Sequence, residues 1–218
     1  MPNIIFVEGV SGVGKTTTST LLHEKLQNMG HQAICYLEGA KDNPLDPFNG
    51  EYPPEGIPLR SRCGKAAGHP ASTRNVREGM PLQSFSNTYM ECWQNFVEEY
   101  SSNTGTFILD GTLFHHQIND LIREYNAPDD IVLSHLSGLL CVIQQFKPII
   151  FYLSASDVAR RLRQARESRK QPPATAERIA FWENRKRVDL YVLERLSVDA
   201  HIFNVDNGWD AIVETQTL

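Results

Sequence analysis

The run Gly9-Val10-Ser11-Gly12-Val13-Gly14-Lys15-Thr16 satisfies the phosphate-binding loop pattern G-x-x-x-x-G-K-[ST] at every specified position, and Thr17 follows it directly. The residue types carry a definite chemistry. Gly9, Gly12 and Gly14 allow the backbone to take positive φ, so that successive N–H groups face a single anion. Lys15 supplies a mobile cation for the β- and γ-phosphates of a nucleotide, and the Thr16 hydroxyl is a ligand for a bridging magnesium ion.

Such a loop works only between a strand and a helix. The apolar run from Asn3 to Val7 reads as a buried parallel strand, and Thr16 to Met29 carries Leu22, Leu26 and Met29 at helical spacing. The helix N-terminus then adds the positive end of its dipole to the anion nest.

Two carboxylates stand where an open α/β sheet does its chemistry, at the C-terminal ends of strands. His31 to Glu38, holding Ala33-Ile34-Cys35-Tyr36-Leu37, reads as a strand ending on Glu38, and Thr106-Phe107-Ile108-Leu109-Asp110 as one ending on Asp110. Either acid can serve as general base toward an attacking hydroxyl, and Asp110 can also organise magnesium. His115 and His116 follow Asp110, but adjacent residues on a helix point in different directions and no further ligand cluster accompanies them. A structural or surface role is expected for both.

The remaining chain alternates helices and strands. Phe85, Tyr89, Cys92 and Phe96 share one face of a helix from Ser84 to Tyr100 and are expected to be core. Phe114, Ile118, Leu121 and Tyr125 form a further stripe, and Val132, Leu136, Leu139, Ile143 and Phe146 another, in a helix that opens at Asp129 and stops at Lys147-Pro148. Ile149 to Leu153 and Ala200 to Val205 read as strands, with a short helix expected after Asp206-Asn207-Gly208. Asp157 opens a helix with Val158, Leu162 and Ala165 on one side and Arg160, Arg163, Arg166 and Lys170 on the other; Pro172-Pro173 breaks it, and helix resumes from Ala176 to Leu196. An interrupted basic segment of this kind has the form of a closing lid. Between Gly39 and Pro81 lie seven of the chain's twelve prolines without sustained periodicity, an irregular insertion. Its bases Arg60, Arg62, Lys65, Arg74 and Arg77 receive no role.

Composition bounds the reading. The 218 residues, 41% hydrophobic, suit one α/β domain. No run approaches the ~18 apolar residues of a membrane span, and Met1-Pro2-Asn3 leads into the first strand without a signal sequence, so a cytoplasmic protein is expected. Cys35, Cys63, Cys92 and Cys141 lack C-x-x-C spacing, which argues against zinc or redox pairs. The net charge of −5 divides unevenly: Ser154 to Arg195 holds eleven Lys/Arg against six Asp/Glu, or +5, which leaves −10 elsewhere. One basic segment on an acidic chain suits a small anionic ligand, not a nucleic-acid polymer.

On these residues the chain resembles the P-loop nucleoside and nucleotide kinases, most closely the thymidylate kinase-like group. The resemblance is carried by Phe6 to Thr17, including Glu8-Gly9, and more weakly by Asp110, Tyr152-Leu153 and the Arg163, Arg166 and Arg169 region. It implies a three-layer α/β/α P-loop NTPase fold with a central parallel sheet of about five strands and a helical lid. A single domain over 1–218 is expected, with the insertion at 39–82 and the lid at about 157–175. The implied activity is transfer of the γ-phosphoryl of ATP, with Mg2+, to a nucleoside, nucleotide or similar metabolite. Lys15, Asp110, Glu38, Arg163 and Arg166 would be catalytic; Gly9 to Thr17 and Arg163 would hold the nucleotide; Thr16 and Asp110 would hold the metal.

Two departures separate the chain from thymidylate kinases. Leu37-Glu38-Gly39 replaces their Arg-Glu-Pro, and Gly111-Thr112 follows Asp110 where they commonly have an arginine. Acceptor identity therefore does not carry over. An antibiotic or other metabolite kinase, and a regulatory nucleotide-binding NTPase, are the alternatives, although the Asn-Lys-x-Asp sequence of GTPases is absent. The expected partner is a small-molecule phosphate acceptor, without membrane or polymer, and a homodimer is one oligomeric option.

Overall fold

In the computed structural model, residues 4–48 and 80–207 are described. Five strands form one sheet, β1 (Ile4–Gly9), β2 (Ala33–Tyr36), β3 (Thr106–Asp110), β4 (Ile149–Ser154) and β5 (Asp199–Asn204). Their spatial order is β2-β3-β1-β4-β5 and every pairing is parallel. The chain leaves β1 toward one edge and later returns to its other side, so β1 lies at a topological switch point.

Helices cover both faces: α1 (Lys15–Asn28), α2 (Leu82–Tyr100), α3 (His115–Arg123), α4 (Asp129–Val142), α5 (Val158–Ser168) and α6 (Ala176–Leu193). Strand alternation sorts the core between them. Ile4 and Phe6 of β1 face the layer of α2, α3, α4 and α6, where Phe6 stacks on Trp93 at 5.9 Å. Ile5 and Val7 face α1 and α5, against Leu22, Leu26, Val158 and Leu162. Burying each such aliphatic side chain contributes roughly 1.5–3 kcal/mol. The aromatic stripe of α2 is core as expected, with Phe85, Tyr89, Cys92 and Phe96 all at most 1% exposed.

The elements begin and end close to their predicted places, with one consequential difference. β2 stops at Tyr36, so Glu38 lies two residues beyond it, in the turn that follows. The last predicted helical residues before β4 tighten into a 3-10 turn at Gln144–Phe146. Most of the insertion, 49–79 with its five bases and Cys63, and the helix predicted after Asn207 lie outside the described residues. The insertion's first part is not loose: Leu45 and Phe48 are fully buried, and the Trp93 indole N–H donates to the Leu45 carbonyl at 2.9 Å.

Candidate functional site

The loop that carries the G-x-x-x-x-G-K-[ST] pattern runs from the end of β1 into the first turn of α1. Val10 and Val13 are buried and anchor it in the core, whereas Thr16 and Thr17 are exposed to the crevice. Gly14 caps α1 with φ 92°, and Lys15 is its first residue. Gly12, at φ +86°, is required sterically as well: a Cβ there would lie 2.8 Å from Ala165 Cβ and 3.1 Å from the Arg161 carbonyl oxygen. Helix α5 therefore packs directly on the loop.

Around Lys15 three strand ends deliver their acids and their neighbours. Thr16 donates its hydroxyl to Asp110 Oδ2 at 2.7 Å, and the Glu38 amide approaches the same oxygen at 3.4 Å. Asp110 is fully buried, and among the described residues its Oδ1 has no hydrogen-bond partner. Burial raises its carboxyl above the ordinary range, opposed by the Thr16 hydrogen bond and the charge of Lys15. Glu38, 36% exposed, lies 3.6 Å from the Lys15 ammonium. The site thus brings Asp110 to Thr16, 94 residues before it in the chain, and to Glu38, 72 residues before it, with Lys15 alongside.

His115, for which a structural or surface role is expected from the sequence, lies beside them. Its Nδ1 is 3.3 Å from Lys15 Nζ and its Nε2 3.2 Å from Glu38 Oε1. The turn at Gly111 aims it inward; with φ +67°, a Cβ on Gly111 would meet His115 Cβ at 3.1 Å and Lys15 Cε at 3.3 Å. Burial, with the charges of Lys15 and Arg185, holds the His115 imidazole well below its ordinary pKa, so it is neutral. No sequence signal distinguishes it from His116, because the turn alone sets their directions.

Two buried ionisable groups brace this arrangement. Glu8, in β1, accepts from the Leu113 amide at 2.7 Å, which fixes the turn between β3 and α3. Complete burial pushes its carboxyl up to about 8, so it is mainly protonated at neutral pH. Arg185, inside α6 and fully buried, donates through Nε to Asp189 at 2.7 Å and through Nη1 to Asn119 and to the His115 carbonyl. Tyr152 donates to the other oxygen of Asp189 at 3.0 Å, which completes a path from β4 to the backbone of His115. In the sequence Arg185 is one base among eleven, with nothing to mark it as interior.

The two arginines expected in a lid lie on α5. Arg163 is exposed, and Arg166 donates through Nε to the Pro172 carbonyl beyond its own helix. Among the described residues neither forms a hydrogen bond or ion pair with Lys15, Glu38 or Asp110. The engaged base is Arg161, whose Nη2 donates to the Val205 carbonyl at 2.7 Å and to Asp206 at 2.9 Å. Arg160 reaches the same carboxylate at 3.0 Å. The Ser156 amide and, after it, the Arg161 guanidinium hold the Asp206 carboxyl down at about 2.

A magnesium ion of the kind the loop motif implies fits the residues present. Thr16 and Asp110 offer hard oxygens side by side, and the buried, unpartnered Oδ1 lacks only a cation or a donor. Among the described residues no group of three His, Cys, Asp or Glu forms a metal cage, and magnesium beside phosphates needs only one or two protein oxygens. A separate cavity of about 690 Å³ opens at the opposite end of the sheet, between Lys147, Pro148, Arg195 and Asp199, and none of the predicted site residues lines it. No described helix is long and apolar enough to cross a membrane.

No family model matches the chain, and no curated protein does. Among solved structures it is similar to the YorR protein of Bacillus subtilis, determined in complex with phosphorylated GDP. The TM-score is 0.50 at 12% identity, over 96% of this chain and 91% of that one. At that identity the likeness concerns the fold, the five-stranded parallel sheet between helical layers that is P-loop-like in its arrangement.

Proposed function

We propose that the protein is an ATP-dependent phosphotransferase acting on a small molecule, a nucleoside, nucleotide or related metabolite. The observation that carries this reading is the convergence of Lys15, Thr16, Asp110 and Glu38 on one crevice at the C-terminal ends of β1, β2 and β3. A module that merely binds nucleotide needs the first three. A carboxylate in the crevice beside Lys15 suits a reaction in which an acceptor hydroxyl gives up a proton. The nucleotide in the YorR complex accords with nucleotide binding in this fold.

The two acids divide the work by environment. Asp110 is buried and already holds Thr16, which suits it to organise the metal rather than to meet an acceptor. Glu38 is open to the crevice and takes the proton. In the step, the acceptor oxygen forms its bond to the γ-phosphorus, the bond from that phosphorus to the bridging oxygen of ADP breaks, and the hydroxyl proton passes to Glu38. Lys15 and the loop amides neutralise charge on the phosphate oxygens. Bound magnesium, held by Thr16 and Asp110, would supply further charge neutralisation there. Arg163 and Arg166 are assigned to a lid over the transferring group.

A coupled ADP-release assay over a panel of nucleosides and nucleotides, with and without magnesium, tests this reading. Acceptor-dependent turnover that disappears in Lys15→Ala is expected. Tight nucleotide binding with no acceptor-dependent turnover would assign the chain to regulatory nucleotide-binding proteins instead.

A further inference from the structure

His115 touches both the cation and the carboxylate of the site, and the identity of its neighbours fixes which nitrogen carries its proton. The Lys15 ammonium has donors only, so the Nδ1 that faces it at 3.3 Å must accept. In a neutral ring the proton then resides on Nε2, where it is donated to Glu38 Oε1 at 3.2 Å. One uncharged side chain thereby satisfies two opposite charges. Lys15 and Glu38 are themselves only 3.6 Å apart. They already form an ion pair at that distance, and without the ring's lone pair for one and its proton for the other they would close further, into a hydrogen-bonded pair that occupies the carboxylate and turns the ammonium from the phosphates.

The ring is held for this task from three sides. It stacks on Trp182 with centroids 5.3 Å apart and planes 28° apart. The His115 carbonyl accepts from Arg185 Nη1 at 3.3 Å, and the space that a side chain on residue 111 would fill is left by Gly111. Such multiple constraint is what positions a functional group to within a fraction of an ångström.

We infer that His115 is a positioning residue, an Nε2-protonated imidazole that aims Glu38 at the acceptor and holds Lys15 back from closing fully on that carboxylate. This rests on the kinase reading with Glu38 as proton acceptor. His115 itself takes up no proton in the step.

Four substitutions separate the role from plain packing. Asparagine places its amide near the position of Nδ1 and glutamine near that of Nε2, so His115→Gln keeps a donor for Glu38 while His115→Asn keeps only an acceptor for Lys15. His115→Ala and His115→Asn are expected to lower kcat about 10²-fold, with the nucleotide KM changed less than about 3-fold, as for loss of an aligned acid-base group. His115→Gln should recover most of that kcat. His115→Phe keeps the stack on Trp182 and should be as slow as alanine. Near-normal turnover in His115→Phe, or equal losses in Gln and Asn, would overturn the inference in favour of packing. Nitrogen-15 NMR of the imidazole reads the arrangement without turnover: an Nε2–H tautomer that loosens in Lys15→Ala is expected, and an Nδ1–H tautomer overturns it. If the wild-type protein transfers phosphate to no acceptor, the kinase reading fails, and the tautomer still decides whether His115 bridges the two charges.

Discussion

Arg161 grips a single oxygen of Asp206 with two nitrogens, Nε at 3.1 Å and Nη2 at 2.9 Å, and so ties the root of α5 to the end of β5. The same residue's carbonyl lies against Gly12 of the phosphate loop, where a Cβ would meet it at 3.1 Å. The side chain and backbone of one arginine therefore couple three elements that border the site.

Arg161→Ala should loosen that junction. The arginine is 21% and the aspartate 14% exposed, so part of the charge is screened, and a loss of about 1–2 kcal/mol in unfolding free energy is expected. Nucleotide affinity should fall with it, because the loop and α5 share the contact at Gly12. Urea denaturation and nucleotide titration measure both; an unchanged midpoint and affinity would mean that the guanidinium is replaceable by solvent. Lysine should restore little, since it cannot bind one carboxylate and a carbonyl in a fixed plane.

With its root anchored, α5 leaves Arg163 exposed and Arg166 bound to the Pro172 carbonyl. If the segment closes over bound nucleotide, these two guanidinium groups act mainly on the transition state. Arg163→Ala and Arg166→Ala should then lower kcat more than they raise the nucleotide KM. Full activity in the double variant would reduce the basic face of α5 to a solvated surface.

Much of this organisation is legible in the sequence, because it depends on local pattern. Alternation in β1 sends Phe6 to one core and Val7 to the other, and Asp157 caps α5 by accepting from the Arg160 amide at 2.8 Å. The loop motif and the carboxylate after Leu109 are equally local. The rest is set at long range. Glu38 lies past its strand because β2 is an edge strand whose pairing with β3 ends at Tyr36. His115 is selected over His116 by a turn, Arg185 over ten other bases by burial against Tyr152 and Asp189, and Leu45 and Phe48 by packing on α2. Periodicity reports none of these.

Glu8 predicts a pH dependence of stability that its position in a strand would not suggest. Its carboxyl titrates near 8 in the folded protein against an ordinary value of 4.5. Between those values the folded state binds more protons than the unfolded one, so this group's contribution is full below about pH 4.5 and declines as pH rises, until it is lost above about 8. Each tenfold difference in proton affinity between the two states is worth roughly 1.4 kcal/mol, so a few kcal/mol are at stake. Glu8→Gln keeps an acceptor for the Leu113 amide and removes the titration. The variant should match wild type near pH 5 and exceed it near pH 8.5 in urea unfolding. Asp120, also raised to about 8 by burial, leaves a residual slope in both proteins. Identical pH profiles would show that the Glu8 carboxyl is hydrated when ionised.

The proposed division of labour between Asp110 and Glu38 is open to direct measurement. Asp110→Asn keeps the shape that receives the Thr16 hydroxyl at 2.7 Å but removes the negative charge, so its main effect should be on magnesium: a right-shifted magnesium titration with partial recovery of turnover at high metal. Thr16→Ala, which deletes the neighbouring hydroxyl oxygen proposed as a ligand, should shift that titration in the same direction. Glu38→Gln leaves a group of equal size 3.6 Å from Lys15 but one that cannot take a proton, so kcat should fall roughly 10²-fold or more at every magnesium concentration. The magnesium midpoint should move little. The opposite pattern, a metal-independent loss in Asp110→Asn and a metal-dependent one in Glu38→Gln, would exchange the two roles. Should neither substitution slow an acceptor-dependent reaction, the hydroxyl proton must leave by way of solvent, and the exposed Glu38 carboxylate would have no part in the chemistry.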